Sequence, residues 1–221
     1  MAHFGFPESP RFADRREAGR RLADRLADLA PLHPIVVGLP RGGVLVAAEV
    51  AAGLGAPLEP LVVRKLGVPE QPELALGAIA EGGARVLNAD VLDATGIRVD
   101  ELARLTAREE AALTEEVTRY RRGRPPLDVA DRLVIVVDDG LATGATARVA
   151  IEALRARRAR RIVLAVPVAP RDAVDAFAAL ADEVVVLAVP RPFIAVGIAY
   201  SDFGPASDAE VIAALDAGAR P

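Results

Sequence analysis

An α/β fold built on a doubly wound parallel sheet of about five strands is predicted by three observations. Short β-branched apolar runs recur along the chain at Ile35 to Leu39, Leu58 to Val63, Leu133 to Val137, Ile162 to Val166 and Val184 to Val189. Helical patterns long enough to cross back over a sheet lie between them, at about Gly43 to Leu54, Ala145 to Ala159 and Arg171 to Ala181. That alternation is the pattern of βαβ units, whose strands are buried on both faces and so read as continuous apolar runs. The composition agrees: 221 residues, 52% apolar and 26% charged, can bury a full core and are unlike a disordered chain. One domain over residues 1–221 is expected, with its core at about residues 31–190.

Three further segments decorate that core. Before the first run, Asp14 to Leu29 carries Ala18, Leu22, Leu26 and Leu29 at helical spacing with arginines on the other faces, an amphipathic helix docked by its apolar stripe. Between the second and third runs, Val99 to Tyr120 places Leu102, Leu105, Leu113 and Val117 among many Glu and Arg. It reads as an exposed helix laced with ion pairs, inside an insertion of about residues 98–125 that ends at the loop Gly123 to Pro126. After the last run, Pro190 to Asp208 is irregular and holds Phe193, Tyr200 and Phe203 in a chain that is only 4% aromatic. Aromatics concentrated in a loop suit a ligand lid, and equally an anchor to the core. Segments 1–30 and 190–221 together are expected to form a small hood.

Several classes of function are excluded early. Without cysteine there is no disulfide framework and no thiolate nucleophile or ligand. His3 and His33 lack metal-ligand spacing, so zinc chemistry is not expected. The longest apolar stretches are broken by proline and too short to span a bilayer, which predicts a cytoplasmic protein without membrane partners. A net charge of -4 argues against nucleic acid as the partner, although Arg121 to Arg124 and Arg155 to Arg161 are basic clusters. The second of these reads as the solvated last turn of a helix, where cations suit the macrodipole.

The chemistry concentrates in three places. Leu133 to Thr146 reads LVIVVDDGLATGAT: a buried strand, two adjacent carboxylates, then a small-residue turn that opens a helix. Amides and hydroxyls at such a helix start can cradle a phosphate, and paired acids beside them suit vicinal hydroxyls and a hard cation such as Mg²⁺. At Gly38 to Gly43 the first run ends in GLPRGG, a second anion-binding turn, with Arg41 in it. At Val62 to Pro69 the second run ends in VVRKLGVP and delivers Arg64 and Lys65 at a strand's carboxyl end. Lys65 is the only lysine among 27 basic residues, which reads either as a position where arginine would not serve or as chance survival at a tolerant surface site. The segment behind it, Glu70 to Gly83 (EQPELALGAIAEGG), has the Pro and Gly content of a loop that can close. Neither GxGxxG nor GxxxxGK[ST] occurs.

The stretch LVIVVDDGLATGAT resembles the phosphoribosyl-pyrophosphate signature of the type I phosphoribosyltransferases, whose fold is a Rossmann-like doubly wound sheet. The resemblance implies that Asp138 and Asp139 hold the ribose 2- and 3-hydroxyls, directly or through Mg²⁺, and that Ala142, Thr143, Gly144, Ala145 and Thr146 hold the 5-phosphate. Pro40, Arg41, Gly42 and Gly43 stand where the family places its pyrophosphate loop. Arg64 and Lys65 look like the pair that opens the catalytic loop of adenine-type members. The implied reaction is transfer of phosphoribosyl from 5-phosphoribosyl-1-pyrophosphate to a purine-like base with release of pyrophosphate, in a protein that is a homodimer by family habit. In 6-oxopurine-type members an aspartate occupies the spacer position held here by Ala142, so that general base is missing. Adenine-type members share the Ala-Thr-Gly form and use a loop glutamate, for which Glu73 and Glu81 are the candidates. Phe193, Tyr200 and Phe203 are candidates for stacking on the base. A phosphoribosyl-pyrophosphate-sensing regulator without transferase activity is the alternative, supported by the two basic clusters alone.

Overall fold

A computed structural model describes residues 12–69 and 71–218, with the side chains of residues 72 and 73 outside the description. In chain order the elements are α1 (Arg15–Arg25), β1 (Ile35–Gly38), α2 (Gly42–Leu54), β2 (Leu58–Pro60), β3 (Val63–Val68), β4 (Gln71–Ala80) and β5 (Arg85–Leu87). There follow α3 (Ala89–Thr95), α4 (Val99–Arg121), β6 (Leu133–Val137), α5 (Ala145–Ala156), β7 (Arg161–Val168), α6 (Arg171–Phe177), β8 (Glu183–Ala188) and α7 (Asp208–Gly218). Short 3₁₀ turns occupy Ala27–Leu32 and Val196–Ala199.

All five apolar runs supply strands to one parallel sheet, in the order β2-β1-β6-β7-β8. Period 2 sends alternate residues to opposite faces. Val36, Ile135, Val137, Val163 and Ala165 pack with α2, α1 and α7 on one face. Val37, Val134, Val136, Ile162, Leu164 and Val166 pack with α5 and α6 on the other. The central strands β1 and β6 are therefore buried at every position, because each of their faces is covered.

Two expectations need correction. Leu58 to Val63 is not one strand. Pro60 ends β2, Leu61 N donates to the Gly38 carbonyl at 3.1 Å, and from Val63 the chain pairs antiparallel with β4, Val63 opposite Ala80. Likewise Glu70 to Gly83 is not an open loop: from Gln71 to Ala80 it is a strand, the middle member of a second sheet ordered β3-β4-β5. The Leu76–Ala80 stretch is buried, and Gly77 is there for close approach, since a Cβ on it would lie 2.1 Å from the Val86 carbonyl oxygen. Glycine content alone misread a strand as a hinge.

The insertion helix forms as α4, preceded by α3, which sequence patterning did not anticipate. It is less exposed than expected: Thr106, Leu113, Tyr120 and Arg121 are buried. Its carboxyl end is tied to the core by a buried ion cluster, Arg121 Nη2 to Glu59 Oε1 at 2.6 Å and Arg121 Nε to Glu81 Oε1 at 2.5 Å.

Candidate active site

The site lies where the sheet changes direction. From β1 the chain crosses to β2 on one side, and from β6 it crosses to β7 on the other, so β1 and β6 are neighbours whose connections diverge. A crevice outside the carboxyl ends of two such strands is the general ligand position of open α/β sheets. Gly38 is paired with Val137, and Leu39 N extends the ladder to the Val137 carbonyl at 3.0 Å, so the loops after the two strands leave side by side. Residues a hundred positions apart in sequence thereby share one crevice.

Gly42 and Gly43 press against the acidic pair. A Cβ on Gly42 would lie 2.0 Å from Asp139 Oδ2, and one on Gly43 would lie 2.8 Å from Asp138 Oδ1 and 2.9 Å from the Val137 carbonyl oxygen. Only glycine lets the turn sit this close. Neither α2, which follows Pro40 and Arg41, nor α5 has a side-chain cap at its first turn. The amides that open each helix are thus left for an outside acceptor, with the positive end of the helix dipole behind them. Gly144 adopts the left-handed conformation (φ 71°) that turns the chain into α5, and Ala142 and Thr143 are exposed just ahead of it.

Asp138 and Asp139 are partly buried, and burial sets their electrostatics. Desolvation pushes the Asp138 carboxyl well above the ordinary carboxylate range, and the neighbouring Asp139 charge pushes it further. Asp139 is raised too, by burial, with Arg15 opposing: Arg15 Nε donates to Asp139 Oδ2 at 2.8 Å. Because the folded Asp138 binds its proton more tightly than the unfolded chain, whose carboxyl titrates near ~3.9, it costs stability increasingly as pH rises above that value. Asp138→Asn is therefore expected to be more stable than the parent at pH 7 and equal to it near pH 4. Urea unfolding at the two pH values measures this.

The adjacent positions 64 and 65 face opposite ways on β3. Lys65 is exposed and lines a cavity of about 710 Å³ with Ala142, Thr143, Ala145, Arg148 and Asn88. Arg64 turns to the insertion helix, Nε to Glu109 Oε2 at 2.8 Å and Nη1 to Glu116 Oε2 at 3.2 Å. Arg41 is exposed, with Asp208 Oδ1 4.0 Å from its Nη1. Glu81 is held by Arg121 and does not face the Lys65 cavity, while the Glu73 side chain lies outside the described residues.

Of the three rings, Tyr200 is buried at 5% exposure, its centroid 4.9 Å from Phe203 and 5.5 Å from Phe12, and its hydroxyl donates to the Asp139 carbonyl oxygen. Tyr200 anchors the segment rather than offering a face to a base. Phe193 and Phe203 are half-buried. Arg15 is the residue that sequence patterning missed, although its spacing could have found it: it stands three, seven and eleven residues before Ala18, Leu22 and Leu26, in line with the docked apolar stripe.

The turn after β1, the acidic pair and the turn after β6 come together from distant parts of the chain, and the family description "Phosphoribosyl transferase domain" matches residues 15–200, which include all three. The chain belongs to this phosphoribosyl transferase family. The Mycobacterium tuberculosis (strain H37Rv) protein named "Putative phosphoribosyl transferase Rv0571c" is 52% identical over 209 residues, covering 95% of this chain and 47% of that protein. The same figures hold for "Putative phosphoribosyl transferase MT0597" of strain CDC 1551. This phosphoribosyl transferase domain thus spans about half the length of the curated relatives it matches. The crystal structure of TT1426 from Thermus thermophilus is similar along nearly its whole length, with 48% identity, a TM-score of 0.80, and coverage of 93% of this chain and 97% of that one. Among the described residues no helix is long and apolar enough to cross a membrane, and no group of three or more His, Asp or Glu stands ready to hold a metal unaided.

Proposed function

We propose that this domain transfers the phosphoribosyl group of Mg²⁺-bound 5-phosphoribosyl-1-pyrophosphate to a nitrogenous base, purine-like in preference, and releases pyrophosphate. The observation that carries the reading is the uncapped start of α2 packed against Asp138 and Asp139, which lead in sequence to the uncapped start of α5, with Lys65 and Thr143 lining one cavity. The amides and hydroxyls of residues 142–146 bind the 5-phosphate, and the acidic pair accepts hydrogen bonds from the ribose hydroxyls. At the anomeric carbon the bond to the pyrophosphate oxygen breaks with its electron pair. The base nitrogen supplies the pair for the new carbon–nitrogen bond and gives up its proton.

The donor set fits Mg²⁺, since two adjacent carboxylates are hard oxygen ligands of the kind that hold this ion together with substrate oxygens and water. When bound there it would supply positive charge beside the departing pyrophosphate. The chain's own contribution is Lys65, whose compact ammonium can follow a leaving group as its charge develops, together with Arg41 and the amides of Gly42 and Gly43. Arg64 joins them only on release from Glu109 and Glu116.

In the basic clusters on which the regulator alternative rests, Arg121 pairs with Glu59 and Glu81, Arg122 and Arg124 with Asp216, and, of the five arginines in residues 155–161, Arg155 with Asp182 and Arg161 with Glu183. Pyrophosphate release from phosphoribosyl pyrophosphate, with and without Mg²⁺ and across a panel of purine and pyrimidine bases, tests the transferase. Mg²⁺-dependent release with at least one base is expected. Ligand binding without release under every base would transfer the case to the regulator.

A further inference from the structure

The N-terminal helix reaches the acidic pair through a single side chain. Arg15, the first residue of α1, has a side chain only 12% exposed, in line with the buried Ala18 and Leu22 on the docked face of the helix. Its guanidinium is divided among three partners. Nε donates to Asp139 Oδ2 at 2.8 Å, Nη1 donates to the Gly204 carbonyl oxygen at 2.8 Å, and the carbon of the guanidinium stands 3.9 Å from the centre of the Phe203 ring. Phe203 in turn stacks on Tyr200, whose hydroxyl donates to the main-chain oxygen of Asp139. Asp139 is therefore gripped at its carboxylate and at its backbone by segments outside the parallel sheet. On the remaining side Gly42 closes in, where a Cβ would lie 2.8 Å from Arg15 Nε.

We propose that Arg15 is the positioning residue that makes Asp139 selective for a ribose diol: it fixes the rotation of the carboxylate and commits Oδ2, so that the other oxygen is presented to a sugar hydroxyl. The inference rests on the phosphoribosyl reading of the acidic pair and assigns to α1 a share in that site. Two physical arguments support it. Two adjacent carboxylates would repel an anionic sugar phosphate, and a guanidinium at 2.8 Å offsets one of them without occupying the sugar's position. A carboxylate free to rotate would lose part of its hydrogen bond to ordering entropy, whereas one pinned by a buried fork is already ordered. Lysine could supply the charge but not the division of one planar fork between a carboxylate, a carbonyl and a ring face.

The test is calorimetric titration of the full chain with three probes: inorganic phosphate, ribose 5-phosphate and 2-deoxyribose 5-phosphate. The parent is compared with Arg15→Met and Arg15→Lys. The parent should prefer ribose over 2-deoxyribose 5-phosphate. Arg15→Met should lower ribose 5-phosphate affinity by about tenfold beyond any loss shared by the other two anionic probes, the scale of one charge-assisted hydrogen bond, with Arg15→Lys restoring only part. Ribose preference kept in Arg15→Met overturns the proposal alone, as does equal weakening of all three probes, which marks a structural role only. Absence of any ribose preference in the parent overturns the diol reading of the acidic pair and the proposal with it.

Discussion

Turnover of the Lys65→Ala protein is expected to fall by about 10²- to 10³-fold, the usual cost of losing one preorganised donor to developing negative charge. Its unfolding midpoint should stay at the parent's value. The two expectations separate because Lys65 is exposed on β3 and contributes little to the core, yet lines the same cavity as Ala142, Thr143 and Ala145. Lys65→Arg refines the test. If charge alone is needed, arginine restores most of the rate; if the compact, rotatable ammonium matters, it restores little. Steady-state pyrophosphate release and thermal unfolding on the same samples read both quantities. Full turnover in Lys65→Ala would remove the lysine from the mechanism.

Arg121→Met is expected to cost about 3–5 kcal/mol of stability, because removing one partner of a buried ion cluster strands the others. Glu59 and Arg121 are 5% and 6% exposed, and Arg121 makes three bonds to glutamate oxygens, at 2.5, 2.6 and 3.1 Å. Burial alone would lower the Arg121 pKa, but its hydrogen bonds to Glu81 and Glu59 outweigh that and raise it, so the arginine stays charged. The loss should spread beyond α4. Arg121 Nη2 also donates to the Pro60 carbonyl at 3.2 Å, and Glu59 Oε1 accepts from Leu127 N at 3.2 Å, so the cluster joins β2, the end of β4 and the approach to β6. Combining Arg121→Met with Glu59→Gln and Glu81→Gln removes the stranded charges and should recover much of the stability in urea unfolding. A single substitution with the parent's midpoint would show that the cluster contributes nothing net.

Much of this was legible in the chain, for reasons that separate local from non-local physics. The five strands were visible because a sheet covered on both faces needs continuous apolar runs, and the loops of residues 40–43 and 138–146 because uncapped helix starts need small residues. The β3-β4-β5 sheet was not, since its strands carry Arg64, Lys65, Pro72 and Gly77 and are only partly covered, so apolar continuity is lost. Arg15, Arg64 and Arg121 show the same limit from another side. Each finds acids or carbonyls 40 to 189 positions away, so although the stripe spacing puts Arg15 on the docked face of its helix, no local pattern names the partner. Lys65 stood out only because its residue type was unique.

That uniqueness has a practical side. With one lysine in 221 residues, exposed and lining the same cavity as Thr143, the chain carries a single ε-amine for acylating or reductively alkylating reagents, and it sits in the candidate site. The extent of modification at one peptide therefore becomes a direct chemical gauge of occupancy, able to rank phosphate, sugar phosphate and pyrophosphate ligands by the protection each confers before any acceptor base has been found.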